Sequence, residues 1–174
     1  MKNIRLYQNK VLKVGSEAVL DKDARHHLLK VLRFPIESMI TLFNGDGYDY
    51  AAKIVSVKRI CKVEVNTRKK NNSESSLDLT LAQGIAKGEK MDFLIQKAVE
   101  LGVNRIVPLQ TERCVVRLKG EKIVKRIEHW QKIASHACAQ SGRAVMVEVD
   151  TQKTLSELLS VKASNGFVLH HQAT

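Results

Sequence analysis

The charged side chains between Leu81 and Val116, in LAQGIAKGEKMDFLIQKAVELGVNRIVPLQTERCVV, stand where folding alone does not ask for them. Lys87, Lys90, Lys97, Glu100, Glu112 and Arg113 fall at the ends of expected elements or on a helix face turned from the core. A carboxylate can take a proton, and ammonium or guanidinium groups can hold an anion. Lys90 and Lys97, seven apart, share one helix face, and Glu100 adjoins it. The competing account is a solvated face with a Lys97–Glu100 ion pair contributing about 0.3–0.5 kcal/mol. Taken alone, the residues favour that account.

The elements around these residues read strand, helix, strand. Leu77 to Gly84 is strand-like, and Glu89 to Leu101 is helical, with Met91, Leu94, Ile95, Ala98 and Leu101 as its buried stripe and Gly102 as its C-cap. Asn104 to Leu109 is a strand and Lys122 to Gln140 a long helix, whose Ile123, Ile127, Trp130, Ala134 and Ala137 line one side. Val145 to Val149, Leu155 to Leu159 and Gly166 to His170 continue as strand, helix, strand. Such alternation predicts a parallel sheet covered by helices. Upstream, Ile4 to Tyr7 and Val11 to Val14 read as short strands, and Asp21 as the N-cap of a helix ending before Pro35. Met39 to Phe43, the NGDG turn at 44–47, the returning strand from Tyr48 and Ile60 to Thr67 complete a small barrel. Arg68 to Ser76, with no large apolar residue, reads as the linker. The overall class is α/β, with one unit over residues 1–70 and a second over 77–174.

The 174 residues carry 29 Lys and Arg against 18 Asp and Glu, a formal charge of +11. The excess is concentrated before Asn72, where 15 basic residues face 7 acidic ones, against 14 and 11 after it. A polyanion is the first partner to consider, docked on the first unit while the second does chemistry. Cys61, Cys114 and Cys138 are too widely spaced for a disulfide framework or a zinc ribbon. His129 and His136 lack a carboxylate at ligand spacing, and no metal is expected. GIAKGEK approaches a phosphate loop but is one residue short and has no Ser or Thr after its lysine. With no signal-length apolar run and no 18 consecutive apolar residues, the expectation is a cytoplasmic protein without a membrane partner.

KGEKMDFLIQKAVELGV, IVPLQTERCVV and WQKIASHACAQSGR, in that order and spacing, resemble the bacterial 16S ribosomal RNA uracil N-3 methyltransferases. HHLLKVLR at 26–33 and LFNGDG at 42–47 resemble the N-terminal domain of the same family. The resemblance implies a PUA-like RNA-binding β-barrel followed by a SPOUT-type domain. It further implies S-adenosylmethionine as methyl donor, a uridine of 16S rRNA in the small ribosomal subunit as target, and a homodimer at full length. Uracil N-3 keeps its proton at neutral pH, so a base, or cations facing the flanking carbonyl oxygens, must assist its loss. On the matching positions Glu100 is the candidate base, Lys97 and Arg113 are its catalytic companions, and Arg143 is a phosphate or oxyanion contact. Arg25, Lys30, Arg33, Lys87 and Lys90 are candidate RNA contacts.

This sequence departs from the family pattern in three places. Ala139 stands where the residue before QSGR is usually acidic, AVMVEV replaces a proline-containing segment, and FPIESM lacks a common glycine. Family members also continue into a glycine-rich loop and a later segment that form the knot and hold most of the cofactor, whereas this sequence stops at Thr174. On the resemblance it is a fragment or a truncation, with an incomplete SPOUT-type domain that binds the cofactor poorly or not at all by itself. A non-catalytic RNA- or ribosome-binding module is the alternative.

Overall fold

The computed structural model describes residues 4–26, 28, 34–58, 60–161 and 165–169. The first unit contains β1 (Arg5–Tyr7), β2 (Glu17–Val19), the short helix α1 (Lys22–His26), β3 (Met39–Phe43), β4 (Tyr48–Ser56) and β5 (Lys62–Lys70). These strands form one sheet in the order β1-β3-β4-β5-β2. Its alternating side chains enclose Leu6, Ile40, Leu42, Ile54, Val63 and Val65, with Leu28 of the segment after α1 against them. The segment 11–14 is not a strand: Val11 and Val14 face solvent, Leu12 alone is buried, and the chain turns at Gly15 before pairing as β2. Asp21 does cap α1, its carboxylate accepting from the Ala24 N–H at 2.7 Å.

The second unit contains β6 (Thr80–Gly84), α2 (Glu89–Glu100), β7 (Arg105–Gln110), α3 (Glu121–Ser141), β8 (Glu148–Val149), β9 (Lys153–Thr154) and α4 (Leu155–Leu159). β6, β8 and β9 all run parallel to β7, as the strand–helix alternation predicts. Pro108 lies inside β7 without harm. On one side the strand pairs with β8 at Arg105 and Ile106 and with β9 at Leu109 and Gln110, so the missing N–H falls in the gap between them. Met91, Ile95 and Val99 of α2 and Trp130, Ala134 and Cys138 of α3 close over the sheet. The expected strand at Gly166 to His170 is not found in 166–169, where Phe167, Val168 and Leu169 are almost fully exposed; His170 lies outside the described residues. An apolar run becomes a strand only where a neighbour meets its backbone, and among the described residues none does.

The residues expected to be a linker do run between the units, and they are held as a seam. β5 extends through Lys70, and Asn71 then donates its side-chain amide to Asp49 at 2.8 Å and to the Gly142 carbonyl at 2.9 Å. The NGDG turn presses on the second unit: Gly45 and Asp46 bridge to Val145, and the Gly47 N–H donates to Ala144. A Cβ on Gly45 would sit 3.3 Å from that of Met146, at a φ of +93°, so both conformation and contact call for glycine there. Arg5 donates to the Cys138 and Ala139 carbonyls at the end of α3, pairs with Asp49, and lies over the Phe43 ring. Phe43, although in β3, belongs to the second core.

Candidate functional site

Because β6 and β7 are parallel, the helices that follow them both start at the carboxyl edge of the sheet. α2 begins at Gly88 and α3 at Gly120, and neither start has a side-chain cap. Their first-turn N–H groups therefore face outward without side-chain acceptors, and the aligned peptide dipoles add about half a positive charge at each. Glu89 and Glu121 offset part of that charge. Lys87 and Lys90 flank the first start; Arg113, Arg117 and Lys119 lie in the loop leading to the second. All five are exposed, and none joins an ion pair among the described residues. An edge of this kind attracts and holds anions.

Beneath the loop, the Cys114 thiol lies 3.2 Å from the Thr111 hydroxyl and 3.5 Å from the Thr111 N–H. Burial pushes this thiol up, but hydrogen bonds from Thr111 and from the Ile85 N–H outweigh it and bring the group below its ordinary range. Burial raises Cys61 and Cys138 instead.

The three residues expected to act together are divided between the two ends of α2. Arg113 is at the carboxyl edge, with Lys87 and Lys90. Glu100 is the last residue of α2, ten positions beyond Lys90 and so about 15 Å away along the axis. Its carboxylate accepts from Lys97 at 2.7 Å and from Gln96 at 2.9 Å. Those two hydrogen bonds, that from Lys97 first, hold it below the usual carboxylate range, which weakens it as a base.

Arg143 requires a correction, because it does not face a ligand. Its side chain is 4% exposed. Nε and Nη2 donate to Glu74 at 2.9 and 2.7 Å, while Nη1 donates to the Val99 and Val103 carbonyls at 3.0 and 2.6 Å. Gly142, in the left-handed conformation, ends α3 and directs the next side chain inward to the end of α2. Arg143 therefore joins two helix ends to the segment between the units, with four of its five N–H groups engaged inside the protein and the side chain buried away from any phosphate. Arg25 is half-buried and donates to the Lys58 carbonyl at 3.1 Å. Lys30 and Arg33 lie outside the described residues. His129 has a carboxylate partner that sequence spacing did not show: Asp92 of α2 meets its Nε2 at 2.9 Å and accepts from the buried Trp130 at 3.1 Å.

Two cavities adjoin α3. One, of about 290 Å³, is an open cleft at the end of β7 lined by Gln110, Thr111, Glu112, Arg117, Lys119, Leu118 and Gln152. The other, of about 310 Å³, has an apolar wall of Ile123, Val124 and Ile127 and shares Gln152. Arg117, Lys119, Gln110 and Gln152 were absent from the sequence-based candidates; the one signal for them was the charge in RLKG ahead of a helix.

Comparison with known proteins places this geometry. Residues 73–174 match the RNA methyltransferase domain, and residues 20–65 match the RNA methyltransferase PUA domain. The Ribosomal RNA small subunit methyltransferase E of Buchnera aphidicola from Acyrthosiphon pisum is 37% identical over 146 residues, 83% of this chain and 58% of that protein. The Bacillus subtilis protein of that name is 33% identical over 77% of this chain and 53% of its own length, so the chain spans between half and three-fifths of these relatives. A Legionella pneumophila structure with bound SAM superposes with a TM-score of 0.95 at 36% identity, covering 99% of this chain and 72% of that one. The Neisseria gonorrhoeae Ribosomal RNA small subunit methyltransferase E, bound to S-adenosyl methionine, gives 0.88 at 38% identity over 93% and 67%. With its PUA-type sheet joined to a parallel α/β unit, this chain belongs to the RNA methyltransferase family.

Proposed function

We propose that the chain is the RNA-binding unit and part of the catalytic unit of an enzyme that methylates N-3 of a uridine in 16S rRNA. In this reading the target sits in the small ribosomal subunit, the whole protein is a cytoplasmic homodimer, and its two units divide at 1–70 and 77–174. The observation that carries the reading is the carboxyl edge, where Lys87, Lys90, Arg113, Arg117 and Lys119 meet two uncapped helix starts. RNA backbone is the polyanion such an edge suits. The exposed Arg68, Lys69 and Lys70 at the end of β5, with Arg68 stacked 3.5 Å over Tyr48, extend the positive surface onto the first unit.

S-adenosylmethionine is the methyl donor of the proposed reaction. Transfer needs its sulfonium against the uracil N-3, so cofactor and base must meet at this edge; the cations suit the RNA, and Glu89, Glu112 and Glu121 are the edge carboxylates that could face the sulfonium. No step is drawn through the cofactor. At the carboxyl edge, Arg113 with Lys87 and Lys90 stabilises charge that develops on the uracil carbonyl oxygens as the N-3 proton passes to solvent water at this exposed edge. Glu100 and Lys97 form a fixed ion pair at the far end of α2.

The test uses the full-length protein and small subunits from cells lacking the enzyme. Labelled methyl from S-adenosylmethionine should appear in 16S rRNA as 3-methyluridine. Arg113→Ala should lower the single-turnover rate about 100-fold, and Glu100→Gln should leave it within about threefold. No incorporation would overturn the function, and a hundredfold loss in Glu100→Gln would return the base to Glu100.

A further inference from the structure

The long helix α3 carries the excess charge of the second unit on one side. Lys122, Lys125, Arg126, His129, Lys132 and His136 follow one another at steps of one, three or four residues, which places them on a single face. All six are exposed, while Trp130, Ala134, Ala137 and Cys138 occupy the buried side. Between Lys122 and His136 four permanent cations stand against one carboxylate, Glu128, a net charge of +3. The 14 basic and 11 acidic residues after Asn72 also differ by three, so this face accounts for the whole excess there. An ordinary solvated helix face mixes the two signs and pairs them a turn apart. Here the partners are sparse: Glu121 lies 3.7 Å from Lys125, Asp23 3.4 Å from Lys132, and Asp92 meets His129. Lys122 and Arg126 join no ion pair among the described residues.

Two contacts fix where this face leads. Asp92 of α2 meets both His129 and Trp130, and α2 and α3 run the same way from the carboxyl edge. Three residues back on each helix, Arg126 is level with Glu89 at the uncapped start of α2, and Lys122 is a further turn toward the edge. In the other direction Lys132 reaches Asp23 of α1, in the first unit. The face therefore leads from the carboxyl edge to the first unit, over about 21 Å from Lys122 to His136. A nucleic-acid strand presents its phosphates in an unbroken row, and cations set roughly one per helical turn meet such a row without reading its bases. A protein partner would bury an apolar centre, which this face lacks: the one exposed large apolar residue of α3, Val124, points to another side. We propose that the outward face of α3 is a track for the RNA backbone, leading the strand from the carboxyl edge to the first unit. The assignment rests on the proposed function above and extends its RNA surface beyond the edge and the tip of β5.

The test is binding of a fluorescein-labelled hairpin RNA of mixed sequence to the 174-residue chain over a range of salt concentrations, and so does not depend on methyl transfer. Lys122→Gln, Lys125→Gln, Arg126→Gln and Lys132→Gln combined should weaken binding at least about tenfold near 0.1 M salt and lower the salt slope by about two to three. Glu128→Gln, which removes the one carboxylate of the stretch, should tighten binding about two- to threefold. With the unaltered, isotope-labelled chain followed by NMR, the His129 and His136 ring signals should move with the backbone signals of 117–120 in one saturable process. These last two measurements decide the matter even if the combined variant fails to fold. Four results would overturn the track. These are an unchanged salt slope in a folded combined variant, no gain from Glu128→Gln, shifts confined to 87–90 and 113–120, or a combined variant that changes the oligomeric state of the chain and leaves RNA binding alone. Failed methylation by the full-length protein with these shifts present would count against the proposed function alone. Full methylation by the full-length combined variant, with its salt slope unchanged, would overturn the track alone.

Discussion

Replacing Arg143 with methionine separates a structural guanidinium from an RNA-binding one. The substitution keeps much of the side-chain volume and removes both hydrogen bonds to Glu74 and both to the Val99 and Val103 carbonyls. Breaking a buried pair from one side costs about 3–5 kcal/mol, because the other charge stays buried without its partner. Glu74, with 21% of its side chain exposed, recovers some hydration, and its second oxygen keeps the Val145 N–H at 3.1 Å, so the lower end applies. About 3 kcal/mol in a chain of this length corresponds to a fall in Tm of roughly 6–12 °C. Glu74→Gln still accepts from the guanidinium and should cost about 1–2 kcal/mol. The double variant, with no orphaned charge, should lose about 1–2 kcal/mol less than the sum of the single changes. Urea unfolding of the four proteins measures all three terms. If Arg143→Met keeps stability within about 0.5 kcal/mol and loses RNA affinity, the side chain faces the ligand and the reasoning is wrong.

Asp92→Ala should cost about 1–3 kcal/mol and shift the emission of Trp130, the one tryptophan, to the red, because that carboxylate holds the indole N–H; unchanged emission and unchanged stability together would refute this. Burial, with the hydrogen bond to Asp46 next, pushes Tyr50 up from an ordinary 10.0 to about 12. A raised pKa means the stabilisation is complete below the unfolded value near 10 and drains away as pH climbs to about 12. Tyr50→Phe should cost about 1.5–3 kcal/mol at neutral pH and flatten the loss over that alkaline window, which pH-dependent urea midpoints would measure. Cys114, half-exposed with a lowered thiol pKa, should alkylate before the buried Cys61 and Cys138, as followed by peptide mass spectrometry; prior labelling of Cys138 would contradict the assigned environments.

The parts of the fold visible in the sequence were those governed by local periodicity. α2 follows from Met91, Ile95 and Ala98 recurring on one face, although Leu101 of the expected stripe is exposed and Val99 is buried instead, and the β3–β4 hairpin follows from NGDG between alternating strands. Arg143 was misread because its burial depends on Glu74, 69 positions away, and on carbonyls that exist only once α2 has ended. Arg68 to Ser76 does run between the two units, but Arg68 to Lys70 belong to β5 and Asn71, Ser73 and Glu74 bind the second unit, since polar residues that bind water in a free linker bind protein when a second unit lies alongside. His129 found Asp92 across a helix–helix contact that no spacing rule encodes. At the candidate site the charges were visible, but the division of Glu100 from Arg113 came only from the direction in which α2 runs between parallel strands.

The seam between the units has a mechanical consequence. Backbone bridges at Gly45 and Asp46, together with the Arg5 guanidinium and the Asn71 amide, cross between the units and tolerate little sliding, because hydrogen bonds lose strength steeply with misalignment. The basic tip of β5 and the carboxyl edge of the parallel sheet are thus held a set distance apart, like the jaws of a caliper. On the proposed function, an RNA that reaches only one jaw gains half the grip, and the spacing itself would distinguish a folded RNA surface from a bare strand.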